Sequence, residues 1–223
     1  IITGCSDDDD QTLPSVSAQY QNLHAPQAGG QGQPISGPFA KFDFASGEIT
    51  NDDNDWDIAF RGTTILVNGG SATGLAVVRA RSGQGAAAIA DGTFASVVST
   101  GALTFSQDSA SGSAIMPGSG NGWYNYAGAP TYLISPIPGK ILVIRTRDGA
   151  LAKLEILSYY KDAPSMPNAF SDQSQYYTFN YLYNNSSAHY SGFGKVGTFI
   201  SGSTSSISSS TIFMLKLNIP WKK

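Results

Sequence analysis

Alternating apolar and polar side chains in residues 139–183 predict three consecutive β-strands. The first run, residues 141–147, is apolar and β-branched and leads directly into Asp148-Gly149. An Asp-Gly pair between two such runs indicates a hairpin, because a type I′ turn needs a positive φ at both central residues. The sequence therefore predicts a type I′ hairpin with its turn at Asp148-Gly149.

The return run of this hairpin, residues 151–158, alternates in the way that is typical of a half-buried strand. The apolar side chains of Ala152, Leu154 and Ile156 share one face of it. Lys153 and Glu155 lie on the opposite, polar face.

The third run, residues 176–183, carries four aromatic side chains on one face of the predicted strand. They are Tyr177, Phe179, Tyr181 and Tyr183. Such a row of rings can stiffen a sheet by packing or can line a flat ligand. The sequence leaves both interpretations open.

Similar patterns elsewhere predict an all-β fold, with a single antiparallel β-sheet domain and long loops. The domain begins at Phe39, and residues 184–210 are a Ser/Gly-rich loop insertion within it. The other predicted strands and hairpins are at residues 39–44, 56–67, 93–98 with 102–107, 195–200 and 211–219.

Composition agrees with a β-rich protein that works outside the cytoplasm. Of the 223 residues, 13% are charged and 11% are aromatic, and 25 are glycine. The formal net charge of −3 would repel a nucleic acid, so a nucleic-acid partner is not expected. No apolar run approaches the roughly 18 residues that a membrane-spanning helix needs.

The single cysteine, Cys5, follows Ile2-Thr3-Gly4, which resembles the end of a bacterial lipobox. This resemblance implies that residues 1–4 are the remnant of a signal peptide and that Cys5 carries lipid. Residues 6–10, Ser followed by four Asp, are similar to the acidic export signal of Bacteroidota surface lipoproteins, although a solvated acidic linker would look the same. We therefore expect a lipidated tether over residues 5–38, or an irregular first segment with one strand at residues 15–20, and an outer-membrane lipoprotein that faces the cell exterior.

Two motifs in the chain have weaker interpretations. Asp53, Asp55 and Asp57 suggest an EF-hand loop, but Ile58 and Thr64 stand where that loop needs Gly and Glu. These residues are therefore interpreted as an acidic turn or as an irregular Ca²⁺ site.

Residues 83–88 fit the GxGxxA dinucleotide fingerprint, but no buried strand precedes them and Asp91-Gly92 would end a following helix early.

The order of several short motifs resembles the HmuY family of haem-binding surface lipoproteins. The motifs are residues 56–61, 68–70, 122–126, 130–132, 148–154 and 159–163, so that the resemblance covers residues 39–183. It implies an all-β single domain that captures haem between loops and delivers it to a TonB-dependent outer-membrane receptor.

The same resemblance implies where axial iron ligands would lie, and this chain departs from the family's histidine pair. Met116 lies in the first ligand region, and Tyr126 is the nearest donor to the second, where the chain reads Ala127-Gly128. Met166 is a further possibility. Methionine and tyrosine both serve as haem ligands, but each of these side chains can equally be a packing residue.

An enzyme is not expected, because two histidines and scattered carboxylates, without a Gly-x-Ser-x-Gly or His-Glu-x-x-His motif, supply little for proton transfer. Two interpretations remain. The first is a haemophore-like lipoprotein. The alternative is a non-catalytic accessory lipoprotein of an outer-membrane complex, which binds a β-barrel partner through residues 184–210 and holds no haem.

Overall fold

The computed structural model describes residues 15–30, 32–71, 81, 83–184 and 193. This part of the chain contains strands and no α-helix, which confirms the all-β prediction. It also contains no helix long and apolar enough to cross a membrane. The strands are β1 (Ser15–His24), β2 (Ala28–Gly30), β3 (Gln33–Ser36), β4 (Ala40–Asp43), β5 (Glu48–Thr50), β6 (Ile58–Arg61), β7 (Thr64–Val67), β8 (Ala86–Asp91), β9 (Tyr124–Tyr126), β10 (Ile134–Pro136), β11 (Lys140–Arg145), β12 (Leu151–Tyr160) and β13 (Ser174–Asn184).

Two antiparallel sheets form the body of the described chain. The main sheet has the order β1-β13-β12-β11-β8, and a smaller sheet has the order β5-β4-β6-β7. The strands β2 with β3, and β9 with β10, form two separate hairpins. The main sheet therefore contains all three strands that the alternation in residues 139–183 predicted.

Aromatic rings pack between the two sheets and hold them together. Phe42 on β4 makes edge contacts with Tyr20, Phe179 and Tyr181 on the main sheet, at centroid distances of 5.1, 5.4 and 5.6 Å. The whole aromatic row of β13 is buried in this layer. The open question from the sequence is thereby answered, since these rings stiffen the core and no ligand can reach them from outside.

The opposite face of the main sheet is covered over part of its area by residues 92–107 and by Phe193. Phe94, Val97 and Phe193 form a second apolar cluster with Ile141 and other side chains of this face. The expectation that Lys153 is exposed is therefore wrong. Its Nζ is buried and donates hydrogen bonds to the carbonyl oxygens of Phe94 and Val97, at 2.5 and 2.8 Å.

Two predicted hairpins differ from the observed backbone. Residues 93–98 and 102–107 do not pair as strands; the first begins with a turn, and Ser106 instead bridges to Ala87 of β8. Packing on the sheet outweighs their local strand propensity.

The β11–β12 hairpin is confirmed, but the prediction of a type I′ turn is wrong. Such a turn needs a positive φ at both Asp148 and Gly149, and only Gly149 has one (92°). A wider turn closes through a hydrogen bond from Thr146 N to Ala150 O (2.8 Å).

Residues 56–67 were predicted as one strand and instead form a hairpin. Strands β6 and β7 pair with each other, and Gly62 turns the chain between them with a φ of 53°. A buried hydrogen bond from Tyr177 Oη to Gly62 O (2.7 Å) fixes this turn against the main sheet.

Residues 86–91 overlap the GxGxxA motif and form strand β8. A dinucleotide site would need a helix there, so the strand agrees with the rejection of such a site.

The folded part of the chain starts well before Phe39. Strand β1 pairs with β13 along its length, and Leu23 and Ala25 are fully buried. Within the expected tether over residues 5–38, the strand that the sequence suggested at residues 15–20 is present as part of β1. Cys5, the predicted strands 195–200 and 211–219, and the insertion beyond Asn184 other than Phe193 lie outside the described residues.

Asp57 joins the smaller sheet to the β11–β12 hairpin. Its carboxylate is 2% exposed and accepts hydrogen bonds from Phe44 N and Arg147 N, at 2.9 and 3.0 Å. The Arg147 guanidinium also contacts Asp43 (2.8 Å) and Asp55 (3.7 Å). A guanidinium thus neutralises the acidic turn that suggested a Ca²⁺ site, and the described residues contain no metal-binding cluster of His, Cys, Asp or Glu.

Burial raises the pKa of Asp57 to about 6, since a carboxylate in this position loses its hydration. The folded state therefore binds this proton more tightly than the unfolded state does. We expect the stabilisation from this group to be complete below pH 4 and to be lost as the pH rises through 6, a change of about 3 kcal/mol. Urea unfolding of the wild type and of Asp57→Asn at pH 4 and pH 7 would measure it.

The wild type and Asp57→Asn are compared in how much their free energy of unfolding changes between pH 4 and pH 7. All other titrating groups are the same in both proteins, so a difference in this change comes from Asp57. The wild type should lose more stability than Asp57→Asn on going from pH 4 to pH 7. Parallel pH profiles for the two proteins would show that Asp57 has an ordinary pKa.

Candidate functional site

Two neighbouring loop segments contain all three predicted haem-binding side chains. We call them together the loop end: residues 115–136, which include β9 and β10, and residues 161–173, which connect β12 to β13. A hydrogen bond from Ile134 N to Tyr160 Oη (3.1 Å) ties the first segment to the end of β12. Both segments therefore leave the body of the fold at the same place.

The loop that carries Met116 folds back onto strand β9. Tyr126 N donates to Ser119 Oγ at 2.8 Å, and Gly120 N donates to Tyr124 O at 2.9 Å. A side chain at Gly122 would place its Cβ 2.4 Å from Met116 O, so glycine permits this close approach of the backbone. Met116 and Tyr126 consequently belong to one compact segment.

Trp123 anchors this segment in the core. Its indole Nε1 donates to Thr63 O at 3.0 Å, and its ring lies 5.1 Å from Tyr177 and 5.7 Å from Tyr159. Because Trp123 and Tyr124 are both buried, β9 is held by packing as well as by its pairing with β10. The loop before it and the turn after it start from a fixed position.

The turn between β9 and β10 presents Tyr132 to the second loop. Tyr132 has a φ of 54°, and its N–H donates to Gly128 O at 2.7 Å. Its ring makes an edge-to-face contact with Phe170, at a centroid distance of 5.7 Å and an interplanar angle of 89°. This contact joins the two halves of the loop end.

The second loop is hydrogen-bonded within itself but leaves its apolar side chains exposed. Lys161 N donates to Gln173 O, and the Asp172 and Asn168 side chains accept from Asn168 N and Phe170 N, respectively. Nevertheless Phe170 is 74% exposed. An ordered loop that holds a phenyl ring in solvent suggests a contact surface.

None of the three predicted ligand side chains is a core-filling residue. Met116, Tyr126 and Met166 are 56%, 47% and 87% exposed. The first two come from the segment described above and the third from the adjoining loop. The sequence analysis did not assign Tyr132 and Phe170 to the site, although Tyr132 lies in one of the motifs that indicated the family.

One further side chain of a type that can ligate iron lies near this end of the main sheet. His24, the histidine of the described residues, ends β1 and stacks on Tyr176 of β13 at 4.4 Å. The Lys161 ammonium lies 5.8 Å from the same Tyr176 ring. Thioether, phenol and imidazole groups can all ligate haem iron, so the loop end and its surroundings hold suitable donors.

Comparison with known proteins gives one family and several distant structures. The family model described as HmuY protein matches residues 39–181, from just before β4 into β13. No curated protein matches the chain.

Three crystal structures are similar to it. The apo HmuY analogue of Tannerella forsythia is 12% identical, with a TM-score of 0.47 over 79% of this chain and 100% of that one. A candidate lipoprotein from Bacteroides fragilis NCTC 9343 is 15% identical (TM-score 0.44; 79% and 95% covered). A candidate HmuY-like haem-binding protein from Bacteroides vulgatus ATCC 8482 is 12% identical (0.39; 77% and 93%).

The contact between Tyr132 and Phe170 should be measurable as a coupling energy. In a double-mutant cycle of Tyr132→Ala and Phe170→Ala, we expect about 0.5–1 kcal/mol of coupling in the free energy of unfolding, because edge-to-face rings attract each other. Val16→Ala combined with Phe170→Ala is the control, since Val16 pairs with Tyr183 at the far end of β13. Equal coupling in both cycles would show that the two loops are not joined by this contact.

Proposed function

Because the chain belongs to the HmuY family, we propose that it is a lipoprotein that captures haem at the loop end. The observation that carries this proposal is the exposure of methionine and aromatic side chains on two adjoining, hydrogen-bonded loops. We further propose that Cys5 anchors the protein to the outer membrane, facing the cell exterior, and that a TonB-dependent receptor takes up the haem.

Haem is a flat apolar disc that carries two carboxylates, and the loop end offers groups that complement both features. The rings of Tyr126, Tyr132 and Phe170 are exposed and can pack against the porphyrin faces. Lys161, at the start of the second loop, offers a cation for a propionate. The aromatic row of β13 takes no part, because it is buried between the sheets.

Axial ligation is assigned to Met116 and Tyr126, with Met166 on the adjoining loop as a further donor. The hydrogen bond from Tyr126 N to Ser119 Oγ keeps the first two in one segment, so that binding would require little reordering of the backbone. A thioether or a phenol as ligand, in place of imidazole, would also alter the reduction potential of the iron. The role is capture and release of a cargo: the protein would form and break axial bonds to the iron and leave the porphyrin unchanged.

A hemin titration of the full chain tests this function. We expect a saturable shift of the Soret absorption band on addition of hemin to the apo-protein. Met116→Leu and Tyr126→Phe each keep the shape of the side chain and remove the donor atom or hydroxyl. Each should weaken binding by about tenfold, or about 1.4 kcal/mol.

Val16→Ala is the control for Met116→Leu, because it shortens an exposed apolar side chain on β1 that pairs with the end of β13 away from the loop end. It should bind hemin as the wild type does. Loss of binding in His24→Gln with no effect of Met116→Leu would show that the ligands are misassigned. A flat titration of the wild type would refute haem capture itself.

The same exposed side chains favour a second candidate function, that of a non-catalytic accessory lipoprotein of an outer-membrane complex that binds no haem. Met166 and Phe170 extend from an ordered loop in the way that contact residues at protein interfaces do.

This alternative predicts co-purification with a membrane β-barrel protein from gently solubilised membranes. The association should weaken when residues 184–210 are deleted or when Phe170 is replaced by Ser. A control variant, Ile49→Ser, changes an exposed apolar side chain on β5 of the smaller sheet and should leave the association intact. Isolation of the wild-type protein alone would contradict this candidate.

A further inference from the structure

A polar cleft opens beside the loop end, on the face of the main sheet that points away from the aromatic layer. Gln19 and Asn180 lie opposite each other on this face, whereas their neighbours Tyr20 and Phe179 point into the layer. The cleft has a volume of about 400 Å³, within the range of small-molecule sites. It is lined by Gln19, Gln21, Asn22, Leu157, Thr178 and residues 162–165.

The cleft exists because two strands depart from regular pairing there. Strand β1 shifts register between Tyr20 and Leu23, and β12 shifts between Ile156 and Ser158. Bulges of this kind redirect side chains and are common next to functional sites. Here they turn Asn22 and the β12–β13 loop toward each other.

The backbone is strained at the same place. Asn22, Asp162 and Ala163 have φ values of 61°, 61° and 46°, and they are three of the five non-glycine residues with positive φ in the described chain. This conformation costs about 1 kcal/mol or more for a residue such as Ala163, whose side chain gives nothing in return. Strain that is concentrated around a cleft points to a function for the cleft.

Asn22 and Asp162 hold the cleft in a fixed shape through a reciprocal pair of hydrogen bonds. Asn22 Nδ2 donates to Asp162 Oδ1 at 2.8 Å, and Asp162 N donates to Asn22 Oδ1 at 2.7 Å. Gln21 Nε2 donates to Gln19 Oε1 at 2.7 Å. Among the described residues, no hydrogen bond engages Asp162 Oδ2 or Gln21 Oε1, so two oriented acceptors remain for a ligand.

The polar groups and charges of the side chains that line the cleft indicate which class of ligand it could bind. Amide groups and one carboxylate supply donors and acceptors for hydroxyl groups, and Leu157, which is partly exposed, supplies an apolar surface. None of the described lining residues is Lys, Arg or His, so an anion has no partner there. A cation finds a single carboxylate, which Asn22 already engages.

From this arrangement we propose that the cleft binds a neutral carbohydrate, separately from the haem site. Hydroxyl groups would hydrogen-bond to Gln21 and Asp162, and the C–H face of the sugar ring would lie against Leu157. Such a site would let the protein attach to a glycan while its loops hold their cargo. It does not depend on haem binding.

The test is a titration of the full chain with neutral sugars (galactose, mannose, N-acetylglucosamine and lactose), followed by ¹⁵N NMR. We expect saturable, millimolar binding to at least one sugar, with amide shifts concentrated at Asn22, Ala163 and Thr178. Gln21→Ala and Asp162→Asn should each weaken it about fivefold, which corresponds to one lost hydrogen bond. Asp162→Asn keeps a side chain that tolerates positive φ.

Ser17→Ala is the matched control, because Ser17 is exposed on the same strand and lies outside the cleft. It should bind the sugar normally. The absence of saturable shifts with every sugar would overturn the proposal. So would binding that the two cleft variants leave unchanged, or tighter binding of glucuronic acid than of the neutral sugars. Hemin titration of Gln21→Ala, a variant on β1 outside the loop end, should match the wild type, which separates this result from that of the haem experiment.

Discussion

Burial of one layer of aromatic rings between the two sheets is the constraint on which the rest of the structure depends. Phe42 lies at its centre and contacts rings on β1 and β13 and the ring of Phe44, which follows β4. Rings of this size bury large apolar areas and prefer edge contacts, so the layer supplies stabilisation and also sets the relative orientation of the sheets. The Tyr177 hydroxyl adds a fixed hydrogen bond to Gly62 across the same gap.

Because the aromatic row of β13 is buried in this layer, the proposed ligand would contact side chains on the loops instead. Trp123 connects the two roles, since its ring packs against Tyr177 in the core while the residues on either side of it form the loop end. A rigid body that carries functional loops is a common arrangement in binding proteins. It would allow the side chains on the loops to change without a cost to the core.

The outer face of the main sheet is divided in a similar way. Over β11 and β8, Phe94, Val97 and Phe193 cover it, and Lys153 satisfies the carbonyl groups of the covering segment. Over β1 and the first half of β13 the described side chains on this face are polar, and there the bulges form the cleft, whereas Leu182 further along β13 belongs to the covered part. The described part of the chain thus has three surfaces of different chemistry. They are the covered apolar part of the main sheet, its polar part with the cleft, and the loop end.

The sequence by itself determined the fold class, the β11–β12–β13 strands and the family, because strand alternation and short motifs are local patterns. It also indicated that Met116 and Met166 lie on loops, and the structure agrees. Only the tertiary structure decided that the Tyr177 row is core and that Lys153 is buried, because a strand's pattern does not reveal what covers each face. The pairing of β1 with β13 and the meeting of Tyr132 with Phe170 join residues far apart in the chain, and no local pattern encodes such contacts.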